Sequence, residues 1–234
     1  MPTLPRPRAH PRDPEPTRQR ILDAAETLFA ERGFEATRLR EVAAAAKVHH
    51  ALVLHYFESK QGLLRAVLAR AIGAISMRAF EVLGTARSLE ELIDRQVELT
   101  VDHFARNRNL LRIVHGASRW PGSPAYAVCM DVARRLVWPL LEATSAALER
   151  FQREGLARAD VDPRRLVVVA LGAIAHVFHE EHFLGAFLGA DVRSDEALAE
   201  HRRVCCLLLR AAVRAPQATC ETDATGSGTG GVAR

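Results

Sequence analysis

The chain has 234 residues, of which 48% are hydrophobic and 26% charged, and this composition excludes a disordered polymer, a collagen-like repeat and a small fold built on disulfides. The formal net charge of +4 permits a polyanionic partner but does not require one. Because no apolar stretch approaches the roughly 18 residues of a membrane span and no secretory signal precedes the body, we expect a cytoplasmic protein with no membrane partner.

Both ends of the chain differ in composition from its middle. Residues 1–16 contain six prolines with Arg6, Arg8 and Arg12 between them, and so many prolines forbid a helix. Residues 215–234 are rich in Thr, Gly and Ala and have almost no large apolar group. We predict a disordered, extended arm, a folded body and a disordered tail, in that order.

Between these ends, apolar residues recur every three or four positions, which predicts an all-α fold of about nine helices. The first helix is expected to run from a cap at Thr17 to Gly33. The second opens at Thr37, and the third covers about 48–54 after almost no connection. A long fourth helix begins near Ser59.

Five more helices follow in the second half of the chain. The residues that favour their N-terminal ends are, in order, Ser88, Asn109, Ser123, Asp162 and Ser194. The seventh helix extends to Glu154, and Pro139 is expected to kink it because proline cannot complete the helical hydrogen-bond ladder. The eighth and ninth are predicted over about 163–188 and 195–214.

The segment 17–63 carries the functional signal. Its second and third helices are joined by a tight turn, which is typical of a helix-turn-helix whose last helix lies in the DNA major groove. The alanines at 43–46 keep the second helix narrow where the third crosses it, and Val48 and Leu52 are expected to anchor the third helix. The residues then left facing outward, where base edges would lie, are His49, His50 and Ala51.

An ordered set of landmarks runs through this segment: Ile21, Ala24, Ala25, Phe29, Gly33, Phe34, Thr37, Val42, Ala43, Val48, Phe57, Lys60 and Leu63. The set resembles the DNA-binding domain of the TetR family of transcriptional regulators, and it is far more specific than any one element. The rest of the chain fits that family in length and helical character but carries no family signature.

The resemblance implies DNA contacts at matched positions. It places Thr37, Tyr56 and Lys60 against phosphates, Lys60 with help from a helix N-terminal dipole. Position by position, the predicted DNA-binding residues are Thr37, Arg38, Arg40, Lys47, His49, His50, Ala51, His55, Tyr56 and Lys60. Arginines of the N-terminal arm would add phosphate or minor-groove contacts. A helical subdomain that does not touch DNA is the alternative.

Three positions depart from the family pattern. Lys47 stands at the turn where glycine is usual, and a left-handed backbone costs a non-glycine residue about 1–2 kcal/mol. His49 replaces a serine that would cap the third helix, and Leu54 replaces a tyrosine near its end. These departures concern the details of base reading rather than the core.

The resemblance also implies that residues 64–214 hold an effector site and a dimer interface. The bulky and polar residues expected to line the effector pocket are Phe80, His103, Phe104, His115, Trp120, Tyr126, Met130 and Trp138. Each of them is equally compatible with ordinary core packing. Helices eight and nine are expected to pair with their twins through Leu166, Val169, Ala173, Val177, Leu198, Cys205, Leu208 and Ala212.

Two side-chain clusters suggest alternatives. His176, His179 and Glu180 share a helix face at spacings of three and four, with His182 partly round the helix, and such a set can hold zinc. A metal-responsive regulator is therefore the second hypothesis. The adjacent cysteines 205 and 206 are expected to be buried thiols, with a redox sensor as the alternative.

The sequence therefore predicts a DNA-binding regulator, most simply a repressor, and not an enzyme. It contains no nucleophile elbow, phosphate-binding glycine loop or metal-hydrolase motif, and no cofactor is expected. A dimer would present two recognition helices about 34 Å apart, one turn of DNA, to a pseudo-palindromic operator. A small, largely apolar effector would release it. A helical enzyme is the least favoured alternative.

Overall fold

The computed structural model describes residues 14–214, which form eleven α-helices and one π-helical segment and contain no strand. The helices are α1 Pro14–Arg32, α2 Leu39–Ala45, α3 His50–Phe57, α4 Lys60–Thr85, α5 Leu89–Arg106, α6 Arg108–Ser118, α7 Pro124–Val132, the π segment Ala133–Val137, α8 Trp138–Arg153, α9 Pro163–His179, α10 Glu181–Leu188 and α11 Asp195–Val213. The predicted all-α class is confirmed. Most of the predicted arm and the whole predicted tail lie outside the described residues.

The first helix begins earlier than its sequence suggested. It starts at Pro14, because the first turn of a helix has unpaired N–H groups and tolerates proline there. Thr17 is therefore not its cap but a buried residue whose hydroxyl accepts a bond from Arg20. Gly33, at φ 81°, ends α1 as predicted. The arm assignment thus extended three residues too far.

Most of the other predicted helix starts are confirmed by cap hydrogen bonds. The side-chain oxygens of Ser59, Ser88, Ser123, Asp162 and Ser194 each accept from a backbone N–H three residues later. Asn109 is the exception, because α6 begins at Arg108 and the residue at its N-cap position is Asn107. These caps explain why helix boundaries in this chain can be read from short sequence patterns.

The predicted seventh helix runs without a gap from α7 through a π-helical segment to α8. The π segment lies between α7 and α8, immediately before Pro139. Because proline has no N–H to donate, the carbonyls upstream of it need other partners. The Ser76 hydroxyl of α4 lies 2.9 Å from the Ile72 carbonyl oxygen of its own helix and 3.2 Å from that of Leu136, so its single hydrogen is shared between the two. The expected kink is therefore a π segment that packs against α4.

The predicted eighth helix is two helices. It breaks at Glu180, and α10 leaves α9 at an angle of 80°. The break brings Glu181 within 2.9 Å of Arg112 and 2.5 Å of Arg193. Within residues 14–214 no single helix is long and apolar enough to cross a membrane, although α9 and α10 together pass that test by length and composition.

We name α1–α3 with the first turn of α4 the N-terminal unit and the rest of the described chain the C-terminal unit; one continuous cluster of buried residues runs through both. Helix α1 packs against α4 and α6, which joins the two units. Arg70 of α4 reinforces this contact, because its guanidinium lies 2.6 Å from both Asp23 and Glu26 of α1. Packing and ion pairs thus hold α1 against the helices of the C-terminal unit.

Candidate nucleic-acid interface and interior cavity

The turn between α2 and α3 has the left-handed backbone that its sequence position requires. Lys47 adopts φ 55° although it is not glycine. Two backbone bonds hold the turn: Lys47 N–H donates to the Ala44 carbonyl and Val48 N–H to the Ala43 carbonyl, at 3.1 and 2.9 Å. The strain of about 1–2 kcal/mol is thus borne by the packed helix pair.

Helix α3 has one buried and one exposed face. Val53 and Phe57 are 0% and 5% exposed and fix the helix in the core. Val48 and Leu52, the predicted anchors, are only half-buried. The predicted outward residues His49, His50 and Ala51 are exposed, and so is His55. Val48 packs against the core as predicted, but the buried residues of α3 are Val53 and Phe57, because this helix covers His50–Phe57 and not 48–54.

The alanine run of α2 divides in the same way. Ala43 and Ala46 are buried against neighbouring helices, whereas Ala44 and Ala45 are exposed. Only half of the run therefore provides the close approach that the sequence suggested. The two exposed alanines leave the surface beside the turn free of bulky side chains.

Several polar residues converge around the exposed face of α3. Lys47, His49 and Tyr56 line a groove of about 460 Å³ together with Thr17 and Arg20 of α1. Arg20 was missed by sequence reasoning because only tertiary packing brings α1 beside α3. A second, shallow depression is lined by Arg38, Leu39, Arg40 and His50. The structure thus gathers most of the predicted DNA-binding residues on one surface.

Thr37 is a correction to the predicted DNA-binding set. Its side chain is 1% exposed, and its hydroxyl lies 2.8 Å from the Gly33 carbonyl oxygen and 3.2 Å from that of Leu28. It ties the loop to α1 and cannot donate to a phosphate. Arg38 is the residue that precedes α2, and its N–H donates to the Glu41 carboxylate at 2.7 Å.

Lys60 opens α4 as predicted, but its ammonium has internal partners. It donates to the Glu35 carbonyl at 3.2 Å and lies 4.3 Å from the centre of the Phe34 ring. Burial lowers the pKa of Lys60, and the opposing effect of Glu35 and Glu41 is smaller. A phosphate contact would have to share or replace these interactions.

The structure does not gather the predicted effector-pocket residues into one cavity. Phe80, Trp120 and Trp138 are 42%, 70% and 45% exposed. Phe104 packs on Phe178, with ring centres 5.9 Å apart, as ordinary core. The remaining members, Tyr126, Met130, His103 and His115, are partly buried or exposed at separate places. The size of the side chains alone did not identify the residues that line a pocket, because the orientation of each helix about its axis decides which side chains face inward.

A cavity of about 150 Å³ lies elsewhere, among α5, α8, α9 and α11. Its lining is mostly Leu, Val, Ile and Ala, with three uncharged polar residues. The lining residues are Leu89, Leu92, Ile93, Gln96, Val97, Thr100, Leu140, Leu141, Thr144, Leu148, Leu166, Val167, Ala170, Leu171, Ile174, Leu209 and Val213. The sequence pattern that could have predicted this cavity is the repeat of small and medium aliphatic residues at helical spacing.

His103 is a partly buried histidine that stays neutral. Desolvation, followed by the charge of Arg106, lowers its pKa to about 4. Its Nδ1 lies 3.2 Å from the Asn107 amide nitrogen. Within the part of the chain that the structure describes, its Nε2 has no hydrogen-bond partner.

An exposed apolar face covers neighbouring surfaces of α9 and α11. Val168 and Val169 are 60% and 64% exposed, and Leu207 and Leu208 are 58% and 56% exposed. Of the predicted dimer residues, Val169, Ala173 and Leu208 lie on this face, Leu166, Val177 and Ala212 are half-buried, and Leu198 and Cys205 are buried inside the protomer. Leu198 and Cys205 are seven residues apart, so they share the inward stripe of α11.

The histidine cluster is a second correction. No group of three His, Cys, Asp or Glu residues within 14–214 could hold a metal ion. The break at Glu180 separates His182, whose side chain is 91% exposed, from the end of α9. His179 instead meets the ring of His115 edge-on at 5.8 Å, and burial, followed by the charges of His115 and His176, lowers its pKa.

The described cysteines are protonated thiols. Burial raises the pKa of Cys129 to about 11, and burial with the neighbouring Asp94 carboxylate does the same for Cys206. Cys205 is buried, as expected for a space-filling residue. Because the thiolate is the reactive form, these values disfavour the redox-sensor alternative.

Comparison with known families agrees with this architecture. Residues 21–67 match the family model of bacterial regulatory proteins of the tetR family, and residues 90–208 match that of the tetracyclin repressor-like C-terminal domain. The chain belongs to the TetR family. The expectation drawn from the landmarks of segment 17–63 is thereby confirmed, and the second match extends it to the C-terminal unit.

Individual TetR-family proteins are similar to this chain either over part of its length or at low sequence identity. The HTH-type transcriptional repressor Rv3405c of Mycobacterium tuberculosis is 43% identical over 75 residues, which cover 32% of this chain and 39% of that protein. The HTH-type transcriptional repressor NicS of Pseudomonas putida is 22% identical over 184 residues, 79% of this chain and 86% of that protein. The fatty acid degradation regulator FadR from Bacillus halodurans shares the fold, with 17% identity, a TM-score of 0.65 and coverage of 82% and 95%.

Proposed function

We propose that this protein is a transcriptional repressor that binds a pseudo-palindromic DNA operator as a homodimer and leaves it when a small molecule binds in the C-terminal unit. It acts by binding and not as an enzyme. The observation that carries the proposal is the exposed face of α3, where His49, His50 and Ala51 project beside basic residues of α1 and α2.

The geometry supports base reading by the N-terminal half of α3. Histidine ring nitrogens can donate to or accept from base edges, and a small residue such as Ala51 permits close approach. Arg20, Arg38 and Arg40 flank that helix and would hold the phosphates on either side of the groove. The buried Thr37 is excluded from this set.

Dimerisation is supported by the exposed apolar face of α9 and α11. Leucines and valines that are more than half exposed are costly in water, and a twofold axis would bury both copies at once. A dimer of this kind would carry two copies of α3 at one end and match the symmetry of a pseudo-palindrome.

The test is selection of bound sequences from random duplex DNA with the full chain, followed by affinity measurement on the selected duplex. Replacing both His49 and His50 by alanine should abolish the preference for that duplex over an unrelated one. The matched control is His182→Ala, because His182 is an exposed histidine in the other unit. Failure to select any duplex at low salt would reject the proposal, as would equal sequence preference in the double variant.

A further inference from the structure

We infer that the cavity among α5, α8, α9 and α11 binds a small uncharged molecule that carries one hydrogen-bond donor. The ligand class follows from the size of the cavity, the charge of its lining and the hydrogen bonds that its polar residues already make. The further statement that this ligand is the effector rests on the proposed repressor function.

The size of the cavity limits the ligand to about one ring. Its volume is about 150 Å³. An apolar cavity of about that size accepts benzene, whereas drug-sized ligands occupy about 300–1,000 Å³. A monocyclic aromatic or a compact aliphatic molecule of similar volume therefore matches the cavity in size.

The lining excludes an ion. Among the described residues that line the cavity none is charged, and most are aliphatic. A carboxylate or an ammonium group would lose its hydration without gaining a counter-charge, which is strongly unfavourable. Its three polar residues, Gln96, Thr100 and Thr144, are neutral at every physiological pH.

The two threonines favour a ligand that donates a hydrogen bond. The Thr100 hydroxyl donates to the Gln96 carbonyl at 2.7 Å, and the Thr144 hydroxyl donates to the Leu140 carbonyl at 2.8 Å. A hydroxyl has one hydrogen, so both groups offer only oxygen lone pairs to a guest. An O–H or N–H donor can bond to them without breaking either existing interaction.

The position of the cavity connects it with the N-terminal unit. Leu140, Leu141 and Thr144 of its lining lie in the first turns of α8, directly after the π segment. That segment packs against α4, where the Ser76 hydroxyl lies 3.2 Å from the Leu136 carbonyl oxygen. A ligand that displaces the start of α8 therefore acts on the helix that leads to the DNA-binding face.

The experiment is calorimetric titration of the full chain at neutral pH with two matched pairs of probes. Benzamide and benzoate have nearly the same shape but differ in charge. Phenol carries an O–H hydrogen-bond donor, whereas toluene has none. We expect benzamide to bind at least about a hundredfold more tightly than benzoate, and phenol about fivefold more tightly than toluene. Benzoate binding as tightly as benzamide, or no binding of any neutral probe at millimolar concentration, would overturn the inference.

Two variants assign the binding to this cavity. Ala170→Phe fills it and should abolish phenol binding, whereas Ala146→Phe places the same ring at an exposed position of α8 and should leave phenol binding unchanged. The double variant Thr100→Val, Thr144→Val keeps the shape and should reduce the phenol-to-toluene ratio to about one. If the double variant keeps the phenol-to-toluene affinity ratio of the wild type, the ligand does not donate to these threonines. This result overturns the donor assignment even if Ala170→Phe does not fold.

Failure of this inference and failure of the proposed function give different results. A chain that binds a selected duplex but none of the neutral probes retains the repressor proposal and loses the cavity ligand. A chain that binds phenol in a manner sensitive to Ala170→Phe but ignores all DNA retains the cavity ligand and loses the repressor proposal.

Discussion

Within one protomer, the N-terminal unit has a filled core, whereas the C-terminal unit keeps a cavity and an exposed apolar surface. In the N-terminal unit, Ile21, Phe29, Val53 and Leu63 are at most 2% exposed, and the exposed face of α3 presents histidines and alanine to solvent. The C-terminal unit retains an interior cavity, a π segment and an apolar surface. The first unit is built to keep its shape, whereas the second leaves room for a ligand and a partner.

The largest expected difference between the units is in the cost of the same core truncation. Leu63→Ala in the N-terminal unit should lower the free energy of unfolding by about 3–4 kcal/mol, because Leu63 is 0% exposed in a filled core. Leu141→Ala beside the cavity should cost about 1–2 kcal/mol, since Leu141 is only half-buried. Urea denaturation of both variants measures the difference, and equal costs would contradict the distinction between the units.

The next effect concerns the ion pairs that fasten α10 to α6. Burial alone would raise the pKa of Glu181, but Arg193, with Arg108 and Arg112, holds it below its ordinary value. Glu181→Gln should therefore destabilise the protein by about 3 kcal/mol, because three guanidinium groups lose their partly buried counter-charge.

The control for that variant is Glu180→Gln, at an exposed neighbouring position, which should change the free energy of unfolding by less than about 0.5 kcal/mol. Denaturant titration of the two variants under the same conditions tests the assignment. A Glu181 variant as stable as the Glu180 variant would show that the break between α9 and α10 does not depend on this cluster.

A smaller effect should follow from removing the Ser76 contact between α4 and the π segment. Ser76→Ala removes a hydroxyl whose single hydrogen is shared between the carbonyl oxygens of Ile72 and Leu136, and it should cost about 1–2 kcal/mol. Ser145→Ala is the matched control, because Ser145 is also buried but its hydroxyl bonds to the Leu141 carbonyl of its own helix and not to a neighbouring helix. In thermal unfolding, Ser76→Ala should be the less stable of the two variants. The reverse order would show that the contact between Ser76 and Leu136 does not stabilise the protein.

The smallest expected effect is a dependence on pH. The folded-state pKa of His103, about 4, lies below its unfolded value, so the unfolded chain binds more protons between about pH 4 and 6.5. The stabilising contribution is complete above pH 6.5 and declines as the pH falls through this window.

Lowering the pH from 7 to 5 should therefore cost the wild type about 1 kcal/mol more than His103→Gln, after allowance for the partial exposure of the ring. Parallel denaturation curves at the two pH values measure this difference. Equal losses in both proteins would mean that His103 is not held neutral by the fold.

The contrast between the units also explains what the sequence could predict. Helix caps and the spacing around the α2–α3 turn are local features, and they correctly predicted that His49, His50 and Ala51 lie on the surface. Thr37 was misassigned because its cap-like residue type is equally suited to tying a loop to α1.

The C-terminal unit depends on contacts between distant segments. Phe80, Trp120 and Trp138 are bulky, but the rotation of their helices places them on the surface. The break at Glu180 has no glycine or proline to mark it, and it involves Arg112 and Arg193, which are far away in the sequence. Such interactions cannot be read from periodicity in a single chain.

The central claim is that the exposed face of α3 enters the DNA groove. Its most direct test is photo-cross-linking of the full chain to its selected duplex, with p-benzoylphenylalanine in place of Ala51 or, as a control, in place of Ala146 of α8. Both positions are exposed, but only Ala51 lies on the proposed DNA face. The account predicts cross-links to DNA from position 51 and none from position 146. A chain that binds the duplex but cross-links only from position 146, or from neither position, would contradict it.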